Sequence, residues 1–409
     1  MTASALLDGG PAARTERAYP ALDGLRLLAA TAVVLTHTGF ATGNYSADAL
    51  GGVLARMEIG VPVFFVLSGF LLTRPYVAAG ARGVPGPRTA AYLWRRALRI
   101  LPAYWLVVVA ALLLLPGNDG AATETWVRHL TLTQLYTLGW FGDGLNPTWS
   151  LCTELTFYLL LPMAGGGLAR LVRARPDRPR GALVALGLAA LVGPVWTWYT
   201  AEAGATELPF RLWLPGYAGW FATGMALAVL TVADPNWRPV RAARELAAGL
   251  PTCWIAAAAV FWIASGPVAG PANMALQTTP TEMVVRTLLY QVVAGLVVLP
   301  LVLGDQEQGP VRRFLSRPPV RFMGEASYGL FLVHAVLIAG AYEGFGWQDF
   351  SGNLVLVSAG IWIAGMAVAS AIYVLVERPL QRFRSLVPDR SPAVSPPTTT
   401  AATATTASV

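Results

Sequence analysis

Residues 22–40, LDGLRLLAATAVVLTHTGF, decide how this chain is read. The stretch has the length and apolarity of a membrane-spanning helix, yet it carries Arg26 and His37. An arginine at the centre of a bilayer costs roughly 2.5–3.5 kcal/mol on insertion scales, and titratable groups at that depth usually mark a functional interior. His37 follows Arg26 by eleven residues, about 16 Å along the axis and close to three full turns. One face of one helix therefore presents a cation at its first end and an imidazole toward its last.

Composition extends this reading to the whole chain. Of 409 residues, 55% are hydrophobic and 12% charged, and the mean hydropathy is +0.54. Globular proteins carry about 25% charged residues, so most of this chain faces lipid or other apolar helices. The net charge of +7 would suggest nucleic acid for a soluble protein. Here it fits basic loops that set membrane orientation, and no nucleic-acid partner is expected. All 29 basic residues are arginine. Cys152 and Cys253 lie in apolar runs and suggest neither a disulfide framework nor a metal site. His37, His129 and His334 form no histidine–carboxylate cluster in the sequence, so no metal is expected.

Apolar runs near 25–44, 57–73, 98–116, 147–169, 182–200, 211–231, 248–266, 284–303, 325–342 and 353–376 approach or reach the 17–25 residues that span a bilayer. The expected fold is an all-α integral membrane protein with about ten transmembrane helices. The second and ninth runs are the shortest, and the aromatic stretch 129–141 is expected at the interface. The arginines test the count. Twenty-five of the 29 fall in segments 1–26, 74–99, 170–180, 238–244, 312–321 and 378–390. Only Arg56, Arg128, Arg211 and Arg286 fall in the alternating connections. The alternation keeps phase through all ten runs and predicts that both termini are cytoplasmic. Residues 1–20 are polar, lack a signal peptide's apolar core, and are expected to be a disordered cytoplasmic segment. Residues 21–385 form one membrane domain, and the Pro/Ser/Thr/Ala-rich 386–409 is expected to be a disordered tail.

Orientation gives the polar residues depth. In NPTWSLCTELTFYLLLP, Ser150, Glu154 and Tyr158 recur at four-residue spacing and share one stripe. Counted from the outer ends of their helices, Glu154 and His37 fall at similar depth, about 7 and 10 Å. A Glu154 carboxylate bonded to one imidazole nitrogen would fix the tautomer of His37 and raise the basicity of the other nitrogen. No arginine is expected near Glu154 at that depth. Ser327 and His334, seven residues apart, share another face; His334 either lines the same cavity or bonds between helices. Ser68, in a bent second helix with Pro62 and Gly69, reads as a packing residue. Arg95, Arg96 and Arg99 form a basic cluster at the inner mouth, suited to anionic lipid or to a phosphorylated cytoplasmic ligand.

These motifs together resemble the signature of the membrane acyltransferase-3 family. The resemblance is carried by the Arg26–His37 spacing, FFVLSGFLL (64–72), RRALRILPAYW (95–105), NPTWSLCTELTFYLLLP (146–162), SYGLFLVHA (327–335) and ERP (377–379), in family order. It covers about residues 20–385 and implies ten core helices in the plasma membrane. It implies transfer of an acyl group, by default acetyl, from cytoplasmic acyl-CoA to a hydroxyl of an extracytoplasmic sugar, glycolipid, polysaccharide or secondary metabolite such as a macrolide. Acyl-CoA is a substrate in this scheme, and no bound cofactor is expected. The esterase-like domain that many members add outside the membrane is not expected here. The family's histidine and arginine map to His37 and Arg26, and its acidic residue to Glu154.

The expected mechanism places the CoA phosphates near Arg26 and Arg95–Arg99, the thioester near His37, and His37 as general base oriented by Glu154. Tyr158, Ser150 or His334 would serve as oxyanion donor. Cys152 lies about 200° around the helix from Glu154 and is expected to pack. The rival reading is a proton-coupled transporter or flippase with His37 and Glu154 as a relay.

Overall fold

The computed structural model describes residues 19–389 apart from 46–47, 138–140, 204–208, 273–277 and 307–308. Among these residues the chain is helical and forms no strand. The helices are α1 (Ala21–Ala41), α2 (Ala49–Arg56), α3 (Gly60–Ala81), α4 (Thr89–Leu114), α5 (Thr123–Leu130), α6 (Trp149–Ala174), α7 (Arg180–Glu202), α8 (Leu214–Val232), α9 (Arg238–Ala248), α10 (Leu250–Ala264), α11 (Pro280–Leu303), α12 (Pro310–Leu315), α13 (Pro318–Phe345) and α14 (Leu354–Ile372). A π turn, Tyr373–Glu377, continues α14 toward the ERP motif.

Each of the ten expected runs lies on a helix. Eight of the described helical segments are long and apolar enough to cross a membrane, or nine when α9 and α10 are taken as one span bent by 87° at Gly249. The remaining run is α8, nineteen residues that pack deep in the bundle. Boundaries moved where polar residues hid helical turns. The ninth run, read as short, belongs to the 28-residue α13. The third begins at Thr89, so Arg95, Arg96 and Arg99 stand on helix α4 and not in the preceding loop.

Apolar residues cover the outside of the bundle as well as filling its core. The apolar stretch of α7 is only 17% buried and turns Leu188, Leu191 and Val195 outward, as lipid allows. The span containing α3 is 67% buried and stands at the centre. Helix α1 sits between α3 and α13 at van der Waals distance. A Cβ on Gly60 would collide with the Ala29 carbonyl oxygen, and one on Gly324 with that of Asp23. Small residues at both crossings let the backbones touch, the usual solution in membranes. These two contacts fix the height of Arg26 and His37 relative to α3 and α13.

The opposite rim is organised by backbone capping. Arg56, one of the four arginines outside the basic connections, is buried and donates to the carbonyls of Ala264, Ala269 and Gly270. Residues 129–137, part of the stretch expected at the interface, pack over α4 and α6. Tyr104 donates to the His129 carbonyl (2.6 Å), and Trp213 to that of Leu135 (3.2 Å). His129 is structural: Nδ1 donates to Thr125 O and Nε2 accepts from Gly142 N–H, an arrangement that needs the neutral ring. Burial lowers its pKa accordingly. Most of both expected tails lies outside the described residues. Of the ends that are described, Tyr19 is buried against Phe70 beneath the Arg74 guanidinium, and Asp389 bonds into the basic rim.

Candidate active site

A single cavity opens at the arginine-rich rim and holds about 1490 Å³ of empty space, part of it open solvent. It gathers Arg26 from α1, Ser68 from α3, Arg95, Arg96 and Arg99 from α4, Ser150, Glu154 and Tyr158 from α6, and Ser327 from α13. The stripe at positions 150, 154 and 158 thus faces the space its spacing predicted. Three arginines stand on one helix face in its first turns, so their long side chains reach into the cavity from its mouth.

The charges are partly matched. Arg26 pairs with Asp23 (3.0 Å), which also meets Arg321 (3.6 Å). Arg99 lies 3.9 Å from the buried Glu377 of the ERP motif. Arg95 bonds Asp389 (3.0 Å), whose other oxygen accepts from the Arg88 backbone N–H (3.0 Å). The buried Nε of Arg96 has no hydrogen-bond partner among the described residues. A rim of forked donors with spare capacity suits a polyphosphate.

Glu154 lies inside this cavity and does not meet His37. Ser68 Oγ and Tyr158 Oη donate to its carboxylate, and the charges of Arg96 and Arg26 act on it. Two expectations are corrected. Arginines do stand near Glu154, because α4 starts nine residues earlier than its apolar run and carries Arg96 up inside the bundle. Ser68 is a donor to Glu154 and not merely a packing residue. The hydroxyls of Ser150 and Ser327 donate to the carbonyls of Pro147 (3.1 Å) and Gly324 (2.7 Å), so only their oxygen lone pairs face a ligand.

His37 and His334 do not line this cavity; they form a pair beyond its end. Their ring centroids are 4.9 Å apart, and His334 Nε2 lies 3.1 Å from His37 Nδ1. His37 Nδ1 is also 2.8 Å from Val33 O, and His334 Nδ1 is 2.6 Å from Phe331 O. A carbonyl only accepts, so both Nδ1 atoms carry the proton. His37 Nδ1–H is shared between Val33 O and the lone pair of His334 Nε2. His37 Nε2 is left as an open lone pair. His334 is fully buried, whereas His37 is half-buried. The partners that hold the tautomer of His37 are therefore Val33 O and His334, not Glu154.

The pair is close to the cavity's inner end. Gly60 packs on the Ala29–Val33 turn, and its neighbours Val61 and Phe64 line the cavity. One helical turn, about 6 Å, separates Val33 from His37. Phe64 and Phe331, rings 6.4 Å apart and edge to face, both line the cavity, and Phe331 also lies 5.9 Å from the His334 ring. Cys152 is fully buried and makes no approach to the cavity lining, as expected of a packing residue. Among the described residues no group of three His, Cys, Asp or Glu could share a metal ion. The sequence reading missed Glu58 and Asp389; the available signal for Glu58 was a lone carboxylate at the head of an apolar run.

An acyltransferase-domain family model, that of the acyltransferase-3 family, matches residues 19–376. The chain is 27% identical over 390 residues to Nodulation protein 10 of Rhizobium leguminosarum bv. viciae, covering 89% of this chain and 93% of that protein. It is 28% identical over 392 residues to Acyltransferase MdmB of Streptomyces mycarofaciens, covering 89% and 92%. It is 28% identical over 165 residues to Peptidoglycan O-acetyltransferase OatA of Listeria monocytogenes serovar 1/2a, covering 36% and 24%. No solved structure matches the chain. The choice between enzyme and transporter falls to the enzyme. The chain belongs to the acyltransferase-3 family and is a multi-pass membrane acyltransferase.

Proposed function

We propose that the protein is an O-acyltransferase that moves an acyl group, acetyl by the family's habit, from cytoplasmic acyl-CoA to a hydroxyl presented from the other side of the membrane. The observation that carries the reading is the His37–His334 pair, whose Nδ1 protons are held by Val33 O and Phe331 O while His37 Nε2 has no hydrogen bond from the described residues, close to the end of an arginine-lined cavity. The basic rim faces the cytoplasm under the positive-inside rule. The CoA phosphates bind at Arg95, Arg96 and Arg99, with Arg26 deeper, and the pantetheine arm runs along the cavity toward Val61 and Phe64.

His37 Nε2 takes the proton of the acceptor hydroxyl as its oxygen attacks the thioester carbonyl. The C–S bond breaks, and the imidazolium returns its proton to the departing thiolate, leaving ester and CoA thiol. Val33 O and His334 Nε2 hold Nδ1–H throughout, so the imidazolium keeps both acceptors at the moment it carries charge. Glu154 stays within the donor cavity, where its charge lies among Arg96 and Arg26 and its oxygens order Ser68 and Tyr158. The name of one relative, a peptidoglycan O-acetyltransferase, supports a cell-envelope sugar polymer as the acceptor class; a glycolipid or a secondary metabolite is the alternative the family resemblance offers.

The test is incorporation of label from radioactive acetyl-CoA into cell-envelope lipids and sugars. Membranes with wild-type protein are compared with membranes holding an equal amount of His37→Ala. Label that depends on His37 supports the reading, and the labelled species names the acceptor. Equal label in both samples would overturn the assignment of the base.

A further inference from the structure

Glu58 is a carboxylate that the donor cavity does not use. It stands on a 3-10 turn, Met57–Ile59, between α2 and α3, and its side chain is exposed. It does not stand at the rim. Its Oε1 accepts from Tyr290 Oη at 2.9 Å, and Tyr290 is the eleventh residue of α11, about 15 Å along that helix from its start. An exposed carboxylate at that depth is costly in hydrocarbon and is at home only where a polar recess reaches in. The chain enters Gly60, which packs on the Ala29–Val33 turn, from the side of His37. That brings Glu58 toward the level of the histidine pair, and its charge acts on the His37 ring.

An aromatic wall leads away from this carboxylate. Trp220 lies 6.3 Å from Tyr290, Tyr217 4.7 Å from Trp220, and Trp149 5.3 Å from Tyr217, ring centre to ring centre. Tyr290 and Trp220 are buried, and Trp220 is anchored by its Nε1–H to Thr287 O. Tyr217 and Trp149 are only half-buried, so each keeps some surface uncovered. Phe65 ties the wall to the donor cavity, which it lines, at 5.6 Å from Tyr217. Rigid ring faces beside an acceptor-only carboxylate match the CH face and hydroxyl edge of a sugar ring. Glu58 Oε2 has no hydrogen bond from the described residues.

We propose that Glu58 and the Tyr290–Trp220–Tyr217–Trp149 wall form the acceptor subsite, which takes a neutral sugar ring: Glu58 Oε2 receives its hydroxyls while Tyr217 and Trp149 carry its apolar face. The subsite places a ring hydroxyl on the Nε2 side of His37, opposite the thioester. Its own negative charge disfavours acidic sugars. The inference rests on the reading of the chain as an O-acyltransferase with His37 as base.

The test is binding, which does not require turnover. The full-length protein in lipid nanodiscs is titrated with methyl β-glucoside, methyl β-galactoside, methyl N-acetyl-β-glucosaminide and methyl β-glucuronide, and tryptophan fluorescence is followed. Wild type and His37→Ala should saturate alike with at least one neutral glycoside and respond weakly to the glucuronide. Glu58→Ala should weaken that binding about tenfold or more, the usual cost of a lost charged hydrogen bond. Tyr217→Ala should weaken it comparably, and Glu58→Gln less. Acetyl-CoA binding unchanged in every variant shows that the fold is intact. In steady state, Glu58→Ala should raise the KM of the acceptor and leave that of the donor unchanged. No saturable response to any glycoside in wild type, or equal affinity in Glu58→Ala, would overturn the subsite. Full transfer activity in His37→Ala would instead overturn the underlying reading and leave the binding result standing.

Discussion

The arginine cavity and the histidine pair solve opposite problems within one bundle. The cavity holds charge that needs partners from outside: three arginines on one face of α4, two of them paired with carboxylates and one with a buried Nε unbonded among the described residues. The histidine pair completes its Nδ1 hydrogen bonds internally, through Val33 O and Phe331 O, leaving His37 Nε2 without a hydrogen bond from the described residues. The first region is built to receive an anion and tolerates many poses. The second is built to present one nitrogen in one protonation state. An enzyme that joins a cytoplasmic donor to an acceptor across the membrane needs both, a turn of helix apart.

The sharpest way to break this division is at His37. His37→Ala should lower kcat by about 10²–10⁴, the span of a general base, while acetyl-CoA binding, measured by calorimetry, is unchanged. A parallel loss of donor binding would mean that the two regions are one site. Next in size, Arg96→Ala should raise the donor KM by about 10–100-fold, as for a charge-assisted phosphate contact, with kcat nearly unchanged. Arg26→Ala should act in the same direction and less strongly, since Asp23 already shares that guanidinium. The competing outcome for either arginine, an effect confined to the acceptor KM, would contradict the donor assignment.

How much of this was legible in the sequence follows the same division. Helix positions were readable because lipid demands long apolar runs, and all ten runs lie on helices. The cavity was readable where spacing on one helix sufficed: positions 150, 154 and 158 share a face by geometry alone and line it, whereas of Ser327 and His334, also one face by spacing, only Ser327 does. What failed depended on how one helix sits against another. Glu154 was matched with His37 from depth counted along two separate helices, but their relative height is set where α1 meets α3 at Gly60 and α3 meets α6 at Gly80, against Ala169, contacts no single-helix count contains. The same blindness hid Arg96 inside the bundle, because polar residues at the start of α4 masked its first turns. The exchange of partners, His334 for Glu154, was visible only once α13 was seen to lie against α1.

That exchange gives a smaller and more specific prediction. His334 acts through His37, as a hydrogen-bond acceptor for Nδ1–H. His334→Ala should reduce kcat by about 2–10-fold, in keeping with a single neutral hydrogen bond, with both KM values held. His334→Gln offers an amide oxygen to the same proton and should recover most of the rate. If Ala and Gln behave alike, His334 serves packing between α1 and α13 and does not orient the base.

The smallest expected effect carries the opposite sign and tests the cavity from its mouth. Asp389 places one carboxylate oxygen 3.0 Å from Arg95 and the other 3.0 Å from the Arg88 backbone N–H, among the arginines assigned to the CoA phosphates. A carboxylate in that position competes with a phosphate for the same donors. Partly exposed ion pairs of this kind contribute about 0–1 kcal/mol, so Asp389→Ala should lower the donor KM by up to about fivefold, and most at low salt, where the pair is strongest. Arg95→Ala would remove both the competitor's partner and the phosphate's, so combining it with Asp389→Ala should abolish that gain. A donor KM that rises in Asp389→Ala would show that this carboxylate positions Arg95 for the phosphate and does not compete with it. The basic rim would then be a preorganised site completed by the chain's own tail, closer in character to the internally bonded histidine pair than to an open anion trap.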